Sequence, residues 1–332
     1  MSLNASRRCF LVAAAASLAM SHYGHAAGLR RTIRIATANP PAAATGQACQ
    51  AFAAAVAATP VLSKAFDVEV FTGGVLGGEL EITQACIDGT LDLAVTASNV
   101  VAGIVPEIGL LDAPFLFRDA RHARAALDGP IGAELTDLLR AKNVNTLAWA
   151  ENGIRHVTAN RPMPQPQDLR GVHIRVPQSE VMVEAFRELG ANPEPLPFPE
   201  LFEALRVGRF EAQENPVATI VSANFSQVQT CLSLTGHVYS AAVFVVSSDL
   251  LEDLDPLQRA ALAQAARAGT DASRKTASEG EQLGIDELRQ AGMTIVDNVE
   301  RTALAAAARP ALDNIARRLG AERAARIREL HA

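Results

Sequence analysis

The chain has 332 residues and a mass of 35.0 kDa, with 49% hydrophobic and 20% charged residues. This length suits two lobes of ~150 residues each, and the composition excludes a disordered or collagen-like chain. With 30 Lys and Arg against 36 Asp and Glu, the net charge is −6. We therefore predict neither a nucleic-acid groove nor a polybasic membrane patch.

The N-terminal segment, residues 1–26, has the pattern of a cleaved export signal. Arg7 and Arg8 precede the apolar residues 9–20, and small residues stand at the two positions that a signal peptidase reads, Gly24 and Ala26. Twelve apolar residues are too few to span a bilayer, which needs ~20, so no membrane insertion is predicted. The paired arginines resemble the twin-arginine signal, with an ordinary Sec signal as the alternative. Either signal predicts a periplasmic protein.

Strand-like and helix-like patterns then alternate as β-α-β-α-β, which implies a parallel-type sheet covered by helices. The predicted segments are a strand at 32–36, a helix at about 45–58, a strand at 67–71, a glycine loop at 73–78, a helix from Glu79 and a strand at 91–95. A helix at 120–140 and a strand at 144–149 are predicted next.

The second half repeats this alternation. Predicted strands lie at 154–158, 172–176 and 237–246, and Ser179 is a predicted helix cap. Asn215 and Pro216 have the pattern of a helix start. The segment 255–258 reads Asp-Pro-Leu-Gln, a capping box, and predicts a helix to about residue 290, some 50 Å long at 1.5 Å per residue. A short strand at 293–296 and two terminal helices complete the pattern.

The cysteines indicate no metal site and leave one question open. Cys9 lies in the signal, and Cys49, Cys86 and Cys231 remain. Cys49 and Cys86 could pair in an oxidising compartment, but the favoured interpretation is that both are small buried apolar residues. The sequence has no CxxC and no HExxH motif.

Three polar segments of the second half are candidates for binding an anion. Arg155 follows a turn on its predicted strand, Arg175 lies near the carboxyl end of its strand, and Asn215 stands at a predicted helix start. Open α/β sheets bind ligands at the carboxyl ends of their strands. Taken alone, however, each arginine also fits a surface ion pair and Asn215 also fits a simple helix cap. The glycine loop at 73–78 lacks the Lys-Ser/Thr of a nucleotide P-loop, so it is either an anion cradle or a flexible connection.

Taken together, the motifs resemble the solute-binding receptors of TRAP (tripartite ATP-independent periplasmic) transporters, the DctP family, over nearly all of the chain that follows the signal. The segments that carry the resemblance, in the family's order, are Gly77 to Glu79, Gly89 to Leu93, Leu111 to Arg118, Asn152 to His156, Ile174 to Pro177, Gly190 to Pro193, Gln213 to Pro216 and Leu234 to His237.

The resemblance implies an α/β fold, a two-lobed periplasmic-binding-protein-like clamp with a long bridging helix. Lobe one would comprise residues 29–152 plus 241–280, and lobe two residues 153–240 plus 281–332. Such a receptor would bind a small organic anion by hinge closure and deliver it to membrane permease subunits. It would need no cofactor and would not be an enzyme.

The resemblance also assigns roles to residues. Arg175 would grip the ligand carboxylate in a bidentate salt bridge, with Arg155 as second arginine and Asn215 as hydrogen-bonding amide. Phe198 would form an apolar wall, and Glu79 would reach the distal end of the ligand. The remaining residues predicted to line the ligand site are Asn39, Ala97, Ser98 and His237.

The ligand is predicted from Glu79. A second ligand carboxylate near Glu79 would be repelled, whereas sugar hydroxyls can donate hydrogen bonds to it. We therefore favour a sugar acid such as a uronate or aldonate, with a four-carbon dicarboxylate as the alternative. An exported α/β enzyme acting on a carboxylate is a weaker alternative, because no nucleophile motif is present.

Overall fold

The computed structural model describes residues 30–331, so the predicted export signal, residues 1–26, lies outside the described residues. The strands are β1 (Arg31–Ala36), β2 (Phe66–Phe71), β3 (Leu93–Ala97), β4 (Asn145–Ala159), β5 (His173–Val176), β6 (Asn192–Pro195), β7 (Ala212–Pro216), β8 (Cys231–Val246) and β9 (Thr294–Val296). The α-helices are α1 (Ala44–Ala58), α2 (Pro60–Ser63), α3 (Glu79–Ile87), α4 (Ser98–Val101), α5 (Ala120–Asp128), α6 (Pro130–Arg140), α7 (Glu180–Glu188), α8 (Leu201–Arg206), α9 (Val217–Ser222), α10 (Ser248–Asp253), α11 (Pro256–Gln290), α12 (Arg301–Leu319) and α13 (Ala321–Glu329).

The sheet confirms the predicted α/β clamp. Its strand order is β2-β1-β3-β8-β4-β7-β5-β6, with β9 added beside β8. The outer strands pair in parallel, β1 with β2 and β3 at one end and β5 with β6 and β7 at the other. The long strands β4 and β8 run antiparallel between these two groups. Two parallel-type units are thus joined through two shared strands.

One prediction about the shared strands was wrong. The sequence pattern predicts separate strands at 144–149 and 154–158, whereas β4 is continuous through both. Its register against β8 shifts between Glu151 and Gly153, and Gly153 has a φ of +128°. Because glycine tolerates this conformation, the chain absorbs the irregularity as a bulge and does not turn.

The predicted helix at 120–140 is in fact two helices. Gly129 ends α5 and caps α6, and Pro130 occupies the first position of α6. A proline in a helix interior removes a hydrogen bond and clashes with the preceding turn, so the helix breaks there. The Asp119 side chain accepts a hydrogen bond from the His122 backbone N–H and begins α5.

The long helix α11 forms as predicted, with its capping box. Asp255 Oδ1 accepts from the Gln258 backbone N–H at 2.8 Å, and Gln258 Oε1 accepts from the Asp255 backbone N–H at 3.0 Å. Gly269 lets the helix approach β8, since a methyl group there would lie 2.5 Å from Cζ of Phe244. Further along, a methyl group at Gly284 would lie 2.7 Å from Val217 in α9. The helix therefore packs against elements of both predicted lobes.

The cysteines of the described chain are free and buried, as the favoured interpretation held. Cys49 and Cys86 belong to different apolar clusters, and burial raises the pKa of both thiols. None of the helices in residues 30–331 combines the length and apolar character needed to cross a membrane.

Candidate functional site

Arg175 is a buried cation without a carboxylate partner. It lies on β5 between β6 and β7 and is 2% exposed. Its Nε and Nη2 atoms donate to the Leu196 backbone oxygen at 2.9 and 2.6 Å, and it forms no salt bridge with the described residues 30–331. Burial lowers its pKa to about 10, so the group stays charged at neutral pH. A guanidinium has five N–H donors in a fork, and the carbonyl uses one edge of it.

Arg155, on β4, is in the opposite situation because it forms a buried ion pair with Glu214. Arg155 Nε and Nη2 donate to the two Glu214 carboxylate oxygens at 2.5 and 2.8 Å, and Nη2 also donates to the Asn215 Oδ1 atom at 3.2 Å. Glu214 is fully buried. Burial alone would raise its pKa, but the charge and hydrogen bonds of Arg155, with His237, hold that pKa at about 2. The pair is therefore ionised and close to neutral as a unit.

Asn215 does not cap a helix, contrary to the sequence prediction. It is the fourth residue of β7 and pairs with His156 on β4, while Pro216 is the residue that caps α9. The Asn215 Nδ2 atom donates to Gln213 Oε1 at 2.6 Å. The strand ladder continues one residue further than the Asn-Pro pattern suggested, and this places the Asn215 amide beside Arg155.

Glu79 brings the first predicted lobe to the arginines. It begins α3, and its Oε1 atom accepts from the Ala97 backbone N–H at 3.1 Å. Burial raises its pKa, while the Ala97 N–H and the charges of Arg155 and Arg175 oppose the rise. Glu79 thus lies within electrostatic range of both arginines, and its other carboxylate oxygen has no hydrogen bond within residues 30–331.

Asp112 is a buried carboxyl group that is not among the site residues predicted from the sequence. Both of its oxygens accept from the Ser98 Oγ atom at 3.2 Å, and it is 2% exposed. Burial raises its pKa to about 7, although Arg155 and Ser98 lower it. The sequence did contain a signal, because Asp112 is a lone acid in the otherwise apolar stretch 108–117, where a buried charge demands a reason.

The other predicted residues occupy supporting positions. Asn39 holds the β1–α1 loop, since its Nδ2 donates to Thr45 Oγ1 and its carbonyl accepts from the Gly73 N–H. Phe198 packs 6.2 Å from Phe225, ring centroid to centroid, two residues after the carbonyl that holds Arg175. His237 lies behind Glu214, with Nε2 3.1 Å from Glu214 Oε2. The structure therefore supports His237 as a partner of Glu214 rather than as a direct part of the cluster around Arg175.

Comparisons with known proteins show the family of this chain. Residues 35–319 match the family model of bacterial extracellular solute-binding protein, family 7. A solute-binding protein of Verminephrobacter eiseniae is 41% identical over 74% of this chain and 73% of its own length. The 2,3-diketo-L-gulonate-binding periplasmic protein of Escherichia coli is 38% identical over 71% of this chain and 72% of its own length.

A solved structure extends the likeness to three dimensions. The TRAP periplasmic solute-binding protein of Polaromonas sp. JS666, bound to D-erythronate, has a TM-score of 0.88 and 37% identity, and the match covers 91% of this chain and 100% of that one. The chain therefore belongs to bacterial extracellular solute-binding protein family 7, the DctP family of TRAP solute receptors.

Proposed function

We propose that this receptor binds a polyhydroxylated monocarboxylate, such as an aldonate or uronate, and closes around it. The observation that carries the proposal is that buried Arg175 forms no salt bridge within residues 30–331, although the charges of Glu214 and Glu79 act on it from a distance. An isolated buried charge is costly unless a counter-ion is present, and a ligand carboxylate matches the planar fork of a guanidinium. Because Glu214 already pairs with Arg155, only Arg175 is left to pair with a ligand carboxylate, and the charges favour one carboxylate over two.

Two buried carboxyl groups near the arginines favour hydroxyl groups on the rest of the ligand. Glu79 and Asp112 both lie in electrostatic range of Arg155, and neither makes a salt bridge within the described chain. The Glu79 oxygen that has no hydrogen bond within residues 30–331 suits a hydroxyl donor, and the ionised Glu79 carboxylate would repel a second ligand carboxylate. Two relatives bind ligands of this kind: the Polaromonas protein is bound to D-erythronate, and the Escherichia coli protein is a 2,3-diketo-L-gulonate-binding protein. Each of these ligands carries one carboxylate and several hydroxyl groups.

The proposal includes the delivery of the ligand to TRAP membrane permease subunits, without covalent chemistry on it. Residues 1–26 would direct export to the periplasm, by the twin-arginine or the Sec route. The lobes would be residues 29–152 plus 241–280 and residues 153–240 plus 281–332. The register shift of β4 between Glu151 and Gly153 supports a hinge at the first boundary, since a bulge weakens a ladder locally.

The test is a thermal-shift screen followed by calorimetry, because a ligand that binds only the folded state raises its apparent stability. The ligands are D-erythronate, gluconate, galacturonate, succinate and malate. We expect at least one sugar acid to bind and the dicarboxylates to bind at least tenfold more weakly, a difference of about 1.4 kcal/mol. Tight binding of succinate or malate alone would show that the dicarboxylate alternative is correct.

Glu79→Gln sharpens this test. The amide oxygen of Gln can still accept from the Ala97 N–H, while the second carboxylate oxygen becomes an NH₂ donor. We expect Glu79→Gln to weaken sugar-acid binding and to improve dicarboxylate binding. If Glu79→Gln changed the affinities for sugar acids and for dicarboxylates equally, Glu79 would not be the residue that selects hydroxyl groups.

A further inference from the structure

The glycine loop at 73–78 lies against a proline segment of the other predicted lobe. A methyl group at Gly74 would lie 2.7 Å from Cγ and 3.3 Å from Cβ of Pro199, and one at Gly78 would lie 3.6 Å from Cβ of Pro197. Carbon atoms attract best at ~3.5–4.0 Å. The contact therefore closes only because residue 74 has no side chain.

Both sides of this contact lead directly to the ligand-site residues. On the proline side, the Leu196 carbonyl that holds Arg175 immediately precedes Pro197. On the glycine side, the Gly73 N–H donates to the Asn39 carbonyl at 2.7 Å, and the loop runs into Glu79 at the start of α3. The Gly77 N–H donates to the Gly74 carbonyl at 3.0 Å and makes the loop a defined turn.

The proline segment is also stiff. Pro197 and Pro199 each fix their φ angle, and the Glu200 N–H donates to the Pro197 carbonyl at 3.2 Å. A side chain added at Gly74 would clash with Pro199, and the proline ring cannot rotate away from the clash. The displacement of Pro199 would therefore be transmitted along the backbone towards Leu196.

We propose that Gly74 and Pro199 form the contact that holds the cleft closed and that fixes the backbone segment on which Arg175 rests. Both are positioning residues, since they act on the ligand through Leu196 and Glu79. The proposal rests on the proposed function for its effect on binding, but the contact itself is testable without a ligand.

The structure provides a matched control at the neighbouring residue. Gly73 and Gly74 have φ angles of +70° and +73°, so an alanine is strained to the same degree at either position. A methyl group at Gly73 meets nothing within 4 Å. Only Gly74→Ala adds a collision with Pro199.

The first experiment is disulfide trapping in the full chain. The Cβ–Cβ separation of 3.3 Å for Gly74→Cys with Pro199→Cys is close to the ~3.5–4.5 Å of a disulfide, and Cys49, Cys86 and Cys231 are buried. We expect mild oxidation to cross-link Gly74→Cys/Pro199→Cys but not Gly73→Cys/Pro199→Cys, as read by mass spectrometry. No cross-link in the first pair, or equal cross-linking in both, would overturn the contact.

The second experiment measures D-erythronate binding kinetics by stopped-flow fluorescence. Relative to Gly73→Ala, we expect Gly74→Ala to dissociate the ligand about tenfold faster with an unchanged association rate, since closure governs release. Gly74→Ala/Pro199→Ala should recover most of the loss, because it removes the colliding ring atoms. Equal dissociation rates in Gly73→Ala and Gly74→Ala would overturn the positioning role. If the unmodified protein does not bind D-erythronate, the same kinetics are measured with gluconate and galacturonate; binding of none of the three counts against the proposed function, while the cross-linking result still tests the contact.

Discussion

Arg155 on β4 and Arg175 on β5 lie two strands apart in the sheet, with β7 between them. Both are buried arginines, but their hydrogen-bond partners differ in kind. Arg155 is saturated by the Glu214 carboxylate and the Asn215 amide. Arg175 is held by one backbone carbonyl and forms no salt bridge within residues 30–331. We therefore propose that Arg175 binds the ligand carboxylate directly, and that Arg155, already paired with Glu214, contributes mainly to the scaffold of the site.

The first test of this comparison is the removal of the Arg175 charge. Arg175→Ala would leave a ligand carboxylate buried and unpaired, a loss of ~3–5 kcal/mol, or about two to four decades in affinity. Arg175→Lys should also bind poorly, because an ammonium group cannot form the bidentate pair. Calorimetry with the best ligand of the screen measures both.

The control for these variants is Arg267→Ala, an exposed arginine on α11, which should leave affinity unchanged. Both Arg175 variants should keep a melting temperature near that of the unmodified protein when no ligand is present. Near-normal affinity of Arg175→Lys would contradict the bidentate assignment.

Glu214→Gln tests the other region and should give the opposite pattern. Breaking a buried ion pair strands the remaining charge and costs ~3–5 kcal/mol of stability. Because Arg155 and His237 both contact the Glu214 carboxylate, we expect a large fall in the free energy of unfolding by urea denaturation. If Glu214→Gln proved as stable as the unmodified protein and lost only affinity, Arg155 would belong to the ligand site in the same sense as Arg175.

Sequence patterns identified the isolated features of this site but not its pairs. Arg175 was predicted from a strand end and a family motif, and Ser179 and the α11 capping box from local spacing alone. The Arg155–Glu214 pair joins residues 59 positions apart, and no local pattern encodes such a distance. Asn215 was misassigned because Asn-Pro fits a helix start, whereas the long ladder with β4 extends the strand through both residues.

The pH dependence of stability sharpens the comparison at Asp112, which faces Ser98, Arg155, Glu79 and Glu214. Its pKa of about 7 in the folded protein lies above the ordinary 3.8, so the folded state holds more protons between these values and stability falls as pH rises through this window. From pH 5 to pH 8 the contribution amounts to about 2–3 kcal/mol. Asp112→Asn removes the titration and should lose less stability over that range.

The same range distinguishes Asp112 from Glu214. A pKa near 2 for Glu214 means that its contribution is complete above pH 5 and is lost only as the pH falls through about 4.5 towards 2. The measurement is urea denaturation of Asp112→Asn and of the unmodified protein at pH 5 and pH 8. Parallel stability curves for Asp112→Asn and the unmodified protein would show that Asp112 does not titrate there.

The smallest expected effect concerns Asn215 and separates its role beside Arg155 from the cap predicted by sequence. Asn215→Ala removes one hydrogen bond to Arg155 and one to Gln213, and should cost about 1 kcal/mol of stability. Hydrogen exchange in α9 should not change, because Pro216 precedes that helix. Ser179→Ala is the matched comparison, since the Ser179 hydroxyl accepts from the Met182 N–H and its loss should cost about 1 kcal/mol and speed exchange at the start of α7. Faster exchange in α9 of Asn215→Ala would show that Asn215 does cap this helix, as the sequence predicts. It would count against a role of the Asn215 amide as a partner of Arg155.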